Sequence, residues 1–245
     1  MKLEYLNGVR ITKLLHEMSP LEAAINNYEA LVEKHINRFQ KMAKKHYAKD
    51  TTLTEDERKA ELVVSLKHLE LERAKLATIS DVQGQLANYR ASAMAAVRGS
   101  ASEKDAAARR LANEVHHPTD ILEKHMIAEG APKPSAKHTA HHVVPGKGKD
   151  EVTTGRTRLH LHRHGIGIND PANGVYLIHK DEDTPHWSMP KSRGHLTYHT
   201  IAYEGWISWK LRALTHVDSI KTQLQIIGRI LQYNEPKNIP GVIRR

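Results

Sequence analysis

The sequence predicts an α+β protein, with a mostly helical N-terminal region followed by a small C-terminal α+β domain. Three observations carry this expectation. Residues 1–130 are built from amphipathic runs, several of them opened by capping boxes. Residues 131–137 (Ala-Pro-Lys-Pro-Ser-Ala-Lys) have the composition of a linker, which sets the expected domains at 1–130 and 138–245. Beyond the linker, short β-prone runs alternate with turn signals and shorter helical stretches. A hydrophobic content of 39% with only 5% aromatics suits helices rich in Ala, Leu, Glu and Lys better than a β-sandwich.

In the first region, Ser19-Pro20-Leu21-Glu22 is a helix start, with Ser as N-cap, Pro at the first helical position and Glu as its capping partner. Apolar residues at Leu21, Ala24, Ile25, Tyr28, Leu31, Val32, Ile36 and Phe39 form a helical stripe running to about Tyr47. Thr54 to Glu57 is a second box, and the helix behind it carries Leu62, Leu66, Leu69 and Leu76. Two Ala-rich helices are expected near 80–98 and 103–116, the latter after a box at Ser102 to Asp105. Pro118 opens a last short helix that ends at Gly130. His16, His35, His46 and His68 are scattered and read as residues of solvated faces, and His116-His117 as a solvated helix end. The half reads as a bundle or extended hairpin whose apolar faces form a core, with a docking, delivery or oligomerisation module as the alternative.

In the second region, Ala140-His141-His142-Val143-Val144 reads as a strand stopped by Pro145. Gly146-Lys147-Gly148-Lys149-Asp150 reads as a flexible basic loop, and Arg156 to His164 as a short helix closed by Gly165. Asp170-Pro171 and Asn173-Gly174 are turn signals ahead of a β-prone run to Ile178. A polar loop with Pro185 and Pro190 leads to helices at about 194–214 and 217–233.

Several function classes are excluded or bounded. No apolar run approaches the roughly 18–20 residues of a membrane span. No secretory h-region is visible, so export, if it occurs, is expected without a cleaved leader. With no cysteine, any metal site must draw on His, Asp, Glu or Asn. The formal charge is +9, and residues 138–245 carry 15 Lys/Arg against 9 Asp/Glu, so the shorter half is the basic one and a polyanion its expected partner.

Ten of the 18 histidines fall between His138 and His199. His195 and His199 stand at i and i+4, which on a helix places both imidazoles on one face about 5–6 Å apart, close enough to share an ion. The same spacing recurs at His138/His142 and His160/His164, so spacing alone does not select a site. Adjacent strand residues point to opposite faces. One of His141 and His142 can therefore bind a metal while the other accepts a proton from water. Phosphodiester hydrolysis needs those two functions.

These blocks in order resemble the AHH-type nucleases of the HNH (ββα-metal) superfamily, found as C-terminal toxin domains of bacterial polymorphic toxins. The matching segments are Ala140-His141-His142-Val143-Val144-Pro145, then His164 to Asp170 with Ala172-Asn173-Gly174-Val175-Tyr176-Leu177, then His195 to Tyr203. The resemblance implies His141, His195 and His199 as ligands of one divalent metal, with His179 or His186 as alternatives to His195. It implies His142 as the general base and Asn173 as the residue pinning the loop that holds it, with Gly174 allowing a tight turn. Tyr203 is expected to pack beneath the helix. All-histidine ligation favours Zn or Ni, whereas phosphate hydrolysis is commonly supported by Mg or Mn.

The expected substrate is DNA cut with little sequence preference, its phosphates met by Lys147, Lys149, Arg156, Arg158, Arg163, Lys191 and Arg193. The resemblance further implies a secreted antibacterial effector acting in the target-cell cytoplasm. An immunity protein is its expected partner, and a secretion carrier or chaperone would engage the helical half. The rival readings are an RNase on the same scaffold and a non-catalytic, metal-stabilised nucleic-acid-binding module.

Overall fold

A computed structural model describes residues 5–6, 9–10, 13–14, 17–47, 54–115 and 118–233, with the side chains of 42–47 excluded. His16, His46 and the His116-His117 pair lie outside this description. The chain divides into two compact units, 1–83 and 84–245. Residues 131–137 join α4 to β3 inside the second unit, so the structure places its division well before the Pro-rich segment.

In the first unit, β1 (Tyr5–Leu6) pairs antiparallel with β2 (Val9–Arg10). Helix α1 (Pro20–Tyr47) begins at the expected capping box, in which Ser19 and Glu22 exchange backbone-to-side-chain bonds of 3.2 and 2.8 Å. Helix α2 (Glu55–Arg98) opens on the matching Thr54/Glu57 box. It runs unbroken through the segment expected to begin a new helix near 80, because nothing between Leu76 and Arg98 interrupts helix formation apart from Gly84, whose cost of about 1 kcal/mol is absorbed in so long a helix. The His35 and His68 rings lie 5.9 Å apart, so these two are partners rather than isolated surface residues.

In the second unit, α3 (Ala101–Ala112) is capped by Ser100 with Glu103, two residues before the expected box. Helix α4 (Asp120–Ala128) follows, ending near Gly130 at φ 93°. Strand β3 (His138–His142) pairs antiparallel with β4 (Gly174–Ile178), with His141 opposite Val175 and His142 opposite Gly174. Between the strands lies α5 (Glu151–Arg163), five residues longer at its N-terminus than expected because the Asp150 carboxylate caps it by accepting from the Thr153 N–H. Its C-terminus is a Schellman turn: Ile166 N bonds to Leu161 O and Gly165 N to His162 O, with Gly165 at φ 70°.

The region expected as one helix from 194 is instead a 3-10 turn (His195–Tyr198), a break, and then α6 (Ile201–Leu211). Thr200 makes the break: its backbone is extended and its hydroxyl caps α6 through Tyr203 N. Helix α7 (Val217–Tyr233) lays Ile220, Leu224, Ile227 and Leu231 on the two-stranded sheet, all fully buried. Each contributes about 1.5–3 kcal/mol by burial. Gly228 lets α7 approach, since a Cβ there would sit 3.3 Å from Val175. On the other side, α4 packs Leu122 and Met126 against Ala140 and Tyr176. Gly174 sits beneath it in extended backbone at φ −107°, so its role is not the expected tight turn. A Cβ there would lie 2.6 Å from the Met126 sulfur, which makes Gly174 a close-approach residue.

His162 is buried on α5, and its Nε2 has no hydrogen-bond partner. Burial, with the nearby Arg158 charge, pulls its pKa down to about 4. The neutral ring is therefore the native form, and the unfolded chain takes up the proton first as pH falls. This contribution to stability is complete above pH ~6.5 and is lost as pH falls to about 4, up to roughly 3 kcal/mol. Thermal unfolding followed across pH 4–7 should show a midpoint that drops through this window, and His162→Phe should flatten the drop.

Candidate active site

The ends of β3, the 3-10 turn and α6 surround a pocket of about 610 Å3. His141, His142, His179, His195, His199, Tyr203 and Glu204 line it, together with Lys147 and Lys149 of the loop after β3. The structure therefore gathers all four expected catalytic and metal histidines at one place, although they come from segments more than 50 residues apart. His195 and His199 meet across the 3-10 turn rather than along a helix face.

His141 is at the floor, 6% exposed, and its Nε2 has no hydrogen-bond partner. Burial drives its pKa well below the ordinary value, and the neighbouring His199, His195 and His142 push the same way. The ring is thus neutral, with a lone pair available. Ring centroids stand 5.4 Å apart for His141–His199, 5.5 Å for His195–His199 and 6.2 Å for His141–His195. Three imidazoles sharing a tetrahedral ion at about 2.0–2.1 Å would have centroids about 5 Å apart. The rings are therefore neighbours spaced wider than a closed cage, and among the described residues no group of three His, Asp or Glu, this trio included, stands close enough to hold an ion without the rings moving together. His195 Nδ1 donates to the His179 carbonyl at 2.8 Å, which leaves Nε2 as its lone-pair atom, the outer contact that fixes a ligand's tautomer. An orphaned ring nitrogen alone is not a site, since His162 has one too; the two adjoining imidazoles distinguish His141.

The alternative ligands are placed elsewhere or behind. His186 pairs with His138 at 5.0 Å and bonds Ser188, away from His141. His179 stacks on His195 at 5.1 Å and supports it through its carbonyl.

His142 faces a different environment. Its Nε2 lies 3.0 Å from Asn169 Oδ1, a partner the sequence did not single out. Asn173 is fully buried and braces the strand end: Oδ1 accepts from Val144 N at 2.8 Å, and Nδ2 donates to Val144 O at 3.1 Å and Ile168 O at 2.9 Å. Tyr203 donates to Val143 O at 2.8 Å and is buried, packing under the site as expected.

The basic residues divide. Lys147 and Lys149 line the pocket; Arg156, Arg163, Lys191 and Arg193 are exposed but do not line it. Arg158 is not a phosphate contact. Its guanidinium donates to Gly146 O at 2.6 Å and to Leu111 O and Ala112 O at 3.1 and 3.3 Å, which caps the carbonyl end of α3. The loop of Lys147 and Lys149 is not loose either. Glu204 of α6 is buried and accepts from Lys149 N and Asp150 N, both at 2.7 Å, and from Thr154 Oγ1 at 3.1 Å. The carboxylate caps the N-terminus of α5 from another helix. Gly148 permits this, because a Cβ would come within 2.1 Å of Thr154 Oγ1 and 2.5 Å of Glu204 Oε2. No sequence signal links Glu204 to a loop 55 residues earlier.

A two-stranded antiparallel sheet, a following helix and a histidine-lined pocket where they meet are the parts expected of a ββα-type site. Comparison with known families agrees: residues 122–231 match the AHH model, described as a nuclease family of the HNH/ENDO VII superfamily with conserved AHH. The match covers this segment, a little under half of the chain, and it is there that the chain is similar to that nuclease family. No curated protein and no solved structure matches the chain.

Removing the Glu204 carboxylate leaves two backbone N–H groups and a hydroxyl without their acceptor. Glu204→Ala should lower stability by about 2–3 kcal/mol in denaturant titration. It should also weaken nucleic-acid binding, measured by salt-titrated anisotropy, because Lys147 and Lys149 lose their fixed position.

Proposed function

We propose that the protein is a metal-dependent endonuclease that hydrolyses DNA without sequence preference. The observation that supports this best is the division within the His141-His142 doublet: one imidazole beside two others with a bare nitrogen, the next tied to a side-chain amide. A divalent ion held by His141, His195 and His199 would neutralise charge on the scissile phosphate and on the departing oxygen. His142 accepts the proton of the attacking water as its oxygen adds to phosphorus. Asn173 keeps the end of β3 in register so that this ring stays at the pocket. Lys147 and Lys149 neutralise flanking phosphates, which carry no sequence information. Zn and Ni suit the ligand set by affinity and Mg and Mn suit the reaction, so all four belong in any assay.

The resemblance noted in the sequence supports a biological setting for this activity. In this reading the protein is an antibacterial effector that acts in the target-cell cytoplasm. A cognate immunity protein protects the producer, and a carrier or chaperone engages the helical residues 1–130.

Incubating the protein with plasmid and, separately, with total RNA under each metal tests the enzymatic part. Plasmid should be degraded and EDTA should stop it. His142→Ala should reduce the rate by about 10²- to 10⁴-fold, the usual contribution of a general base. Cleavage that survives EDTA, degradation of RNA alone, or DNA binding that never leads to cutting would each overturn the proposal.

A further inference from the structure

The contact between His142 and Asn169 is the last link of a chain that begins in the helices before the family-matched segment. Asn169 Nδ2 donates both its hydrogens, to Glu114 Oε1 at 2.8 Å and to Val115 O at 3.1 Å. The amide orientation is thereby decided, because the NH2 group must face those two acceptors and Oδ1 must face His142. Oδ1 can only accept, so His142 Nε2 carries the hydrogen, and in the neutral ring Nδ1 carries the lone pair. Glu114 is itself fixed: its second oxygen accepts from Tyr89 OH at 2.9 Å and Ile168 N at 3.3 Å. Tyr89 OH in turn accepts from Asn169 N at 3.0 Å. Burial, reinforced by the Glu114 carboxylate, raises the Tyr89 phenol well above its ordinary range and keeps it a donor. Gly167 makes room for this hydroxyl, which would lie 2.0 Å from a Cβ at that position. The next residue pair repeats the clamp, Arg90 Nε bonding the buried Asp170 carboxylate at 3.0 Å.

We propose that Glu114, held by Tyr89, is a positioning residue that sets the tautomer of His142 through Asn169. The proposal rests on reading His142 as the base. Glu114 touches neither the pocket nor His142, and its side-chain route to that ring is the Asn169 amide. Residues 84–121 are consequently part of the nuclease and not a detachable adaptor, since the matched segment 122–231 lacks both Tyr89 and Glu114. Glu114→Gln puts an NH2 group in place of one of the two acceptor oxygens and keeps the other as a carbonyl. Either that group meets the Ile168 N–H and displaces the side chain, or it meets Asn169 and turns the Asn169 amide over. In the second case Asn169 offers N–H to His142 Nε2, and the hydrogen of the ring moves to Nδ1.

The test uses the full chain with labelled histidine. Long-range 1H–15N spectra should show the His142 ring as the Nε2–H tautomer in the parent protein and a substantial Nδ1–H population in Glu114→Gln. Plasmid cleavage by Glu114→Gln should lose about 10- to 100-fold in kcat, the range for an outer partner of an active-site histidine, with KM little changed. Tyr89→Phe, which keeps the ring and removes only the hydroxyl, should shift both readouts in the same direction by less; it carries the test if Glu114→Gln does not fold. An Nδ1–H tautomer in the parent, a variant with unchanged tautomer, or a loss confined to KM would overturn the proposal. His142→Ala assayed alongside separates the two ideas: if it still cuts, the base assignment fails. If it is inactive while Glu114→Gln keeps the parent rate and tautomer, only the relay fails.

Discussion

The carboxamide of Asn173 is the constraint on which the site depends. It makes three hydrogen bonds to backbone in the interior, two to Val144 and one to Ile168, and so ties the end of β3 to the loop that precedes β4. Only a carboxamide supplies a donor pair and an acceptor in one plane, and Asn holds it one methylene closer to the backbone than Gln would. The two strands are joined by a long excursion through α5 rather than by a hairpin, so no turn geometry fixes their register. The Asn173 amide, with the Val143 N to Asn173 O bond beside it, closes the gap instead. The His141-His142 doublet immediately precedes this joint, and its two rings inherit their separation from it.

From that joint the doublet divides by environment. Toward His195 and His199, burial and like neighbours keep His141 neutral and leave a ring nitrogen bare, the state a metal requires of a ligand. Toward Asn169, a side-chain amide with both hydrogens committed dictates which nitrogen of His142 carries the proton. The same pocket is closed below by Tyr203 and flanked by a loop that Glu204 holds against the N-terminus of α5. The two histidines and the basic loop thus rest on three separate polar anchors, Tyr203, Asn169 and Glu204, each buried and each reaching across more than 25 residues of sequence.

Local signals in the sequence were legible where a single segment holds the information. The capping boxes at Ser19 and Thr54, the Gly165 stop and the span of α7 agree with the sequence, since each depends on neighbours within one turn. The strand expected over 140–144 runs instead from His138 to His142 and ends before Pro145. The Ser102 box was misplaced because Ser100 and Ser102 both precede an acidic residue at a plausible distance. The helix expected through His195 was broken by Thr200, a residue as ready to cap as to continue. Arg158 was mistaken for a phosphate contact because nothing in its own segment reveals the α3 carbonyls it satisfies. Glu114, Tyr89, Asn169 and Glu204 were missed for the same reason. Their partners lie 25 to 80 residues away, and each is an ordinary polar residue until the fold brings it to the site. Asn169 at least stood inside a recognised block; Glu114 had no signal at all.

The central claim is that adjacent histidines have separate duties, metal for His141 and proton for His142. Calorimetric titration of a divalent metal into the parent protein and two variants tests it most directly. The account expects one site in the parent, the same site retained in His142→Ala, and binding lost in His141→Ala. A site that survives in His141→Ala, or disappears in His142→Ala with the fold intact, would contradict it.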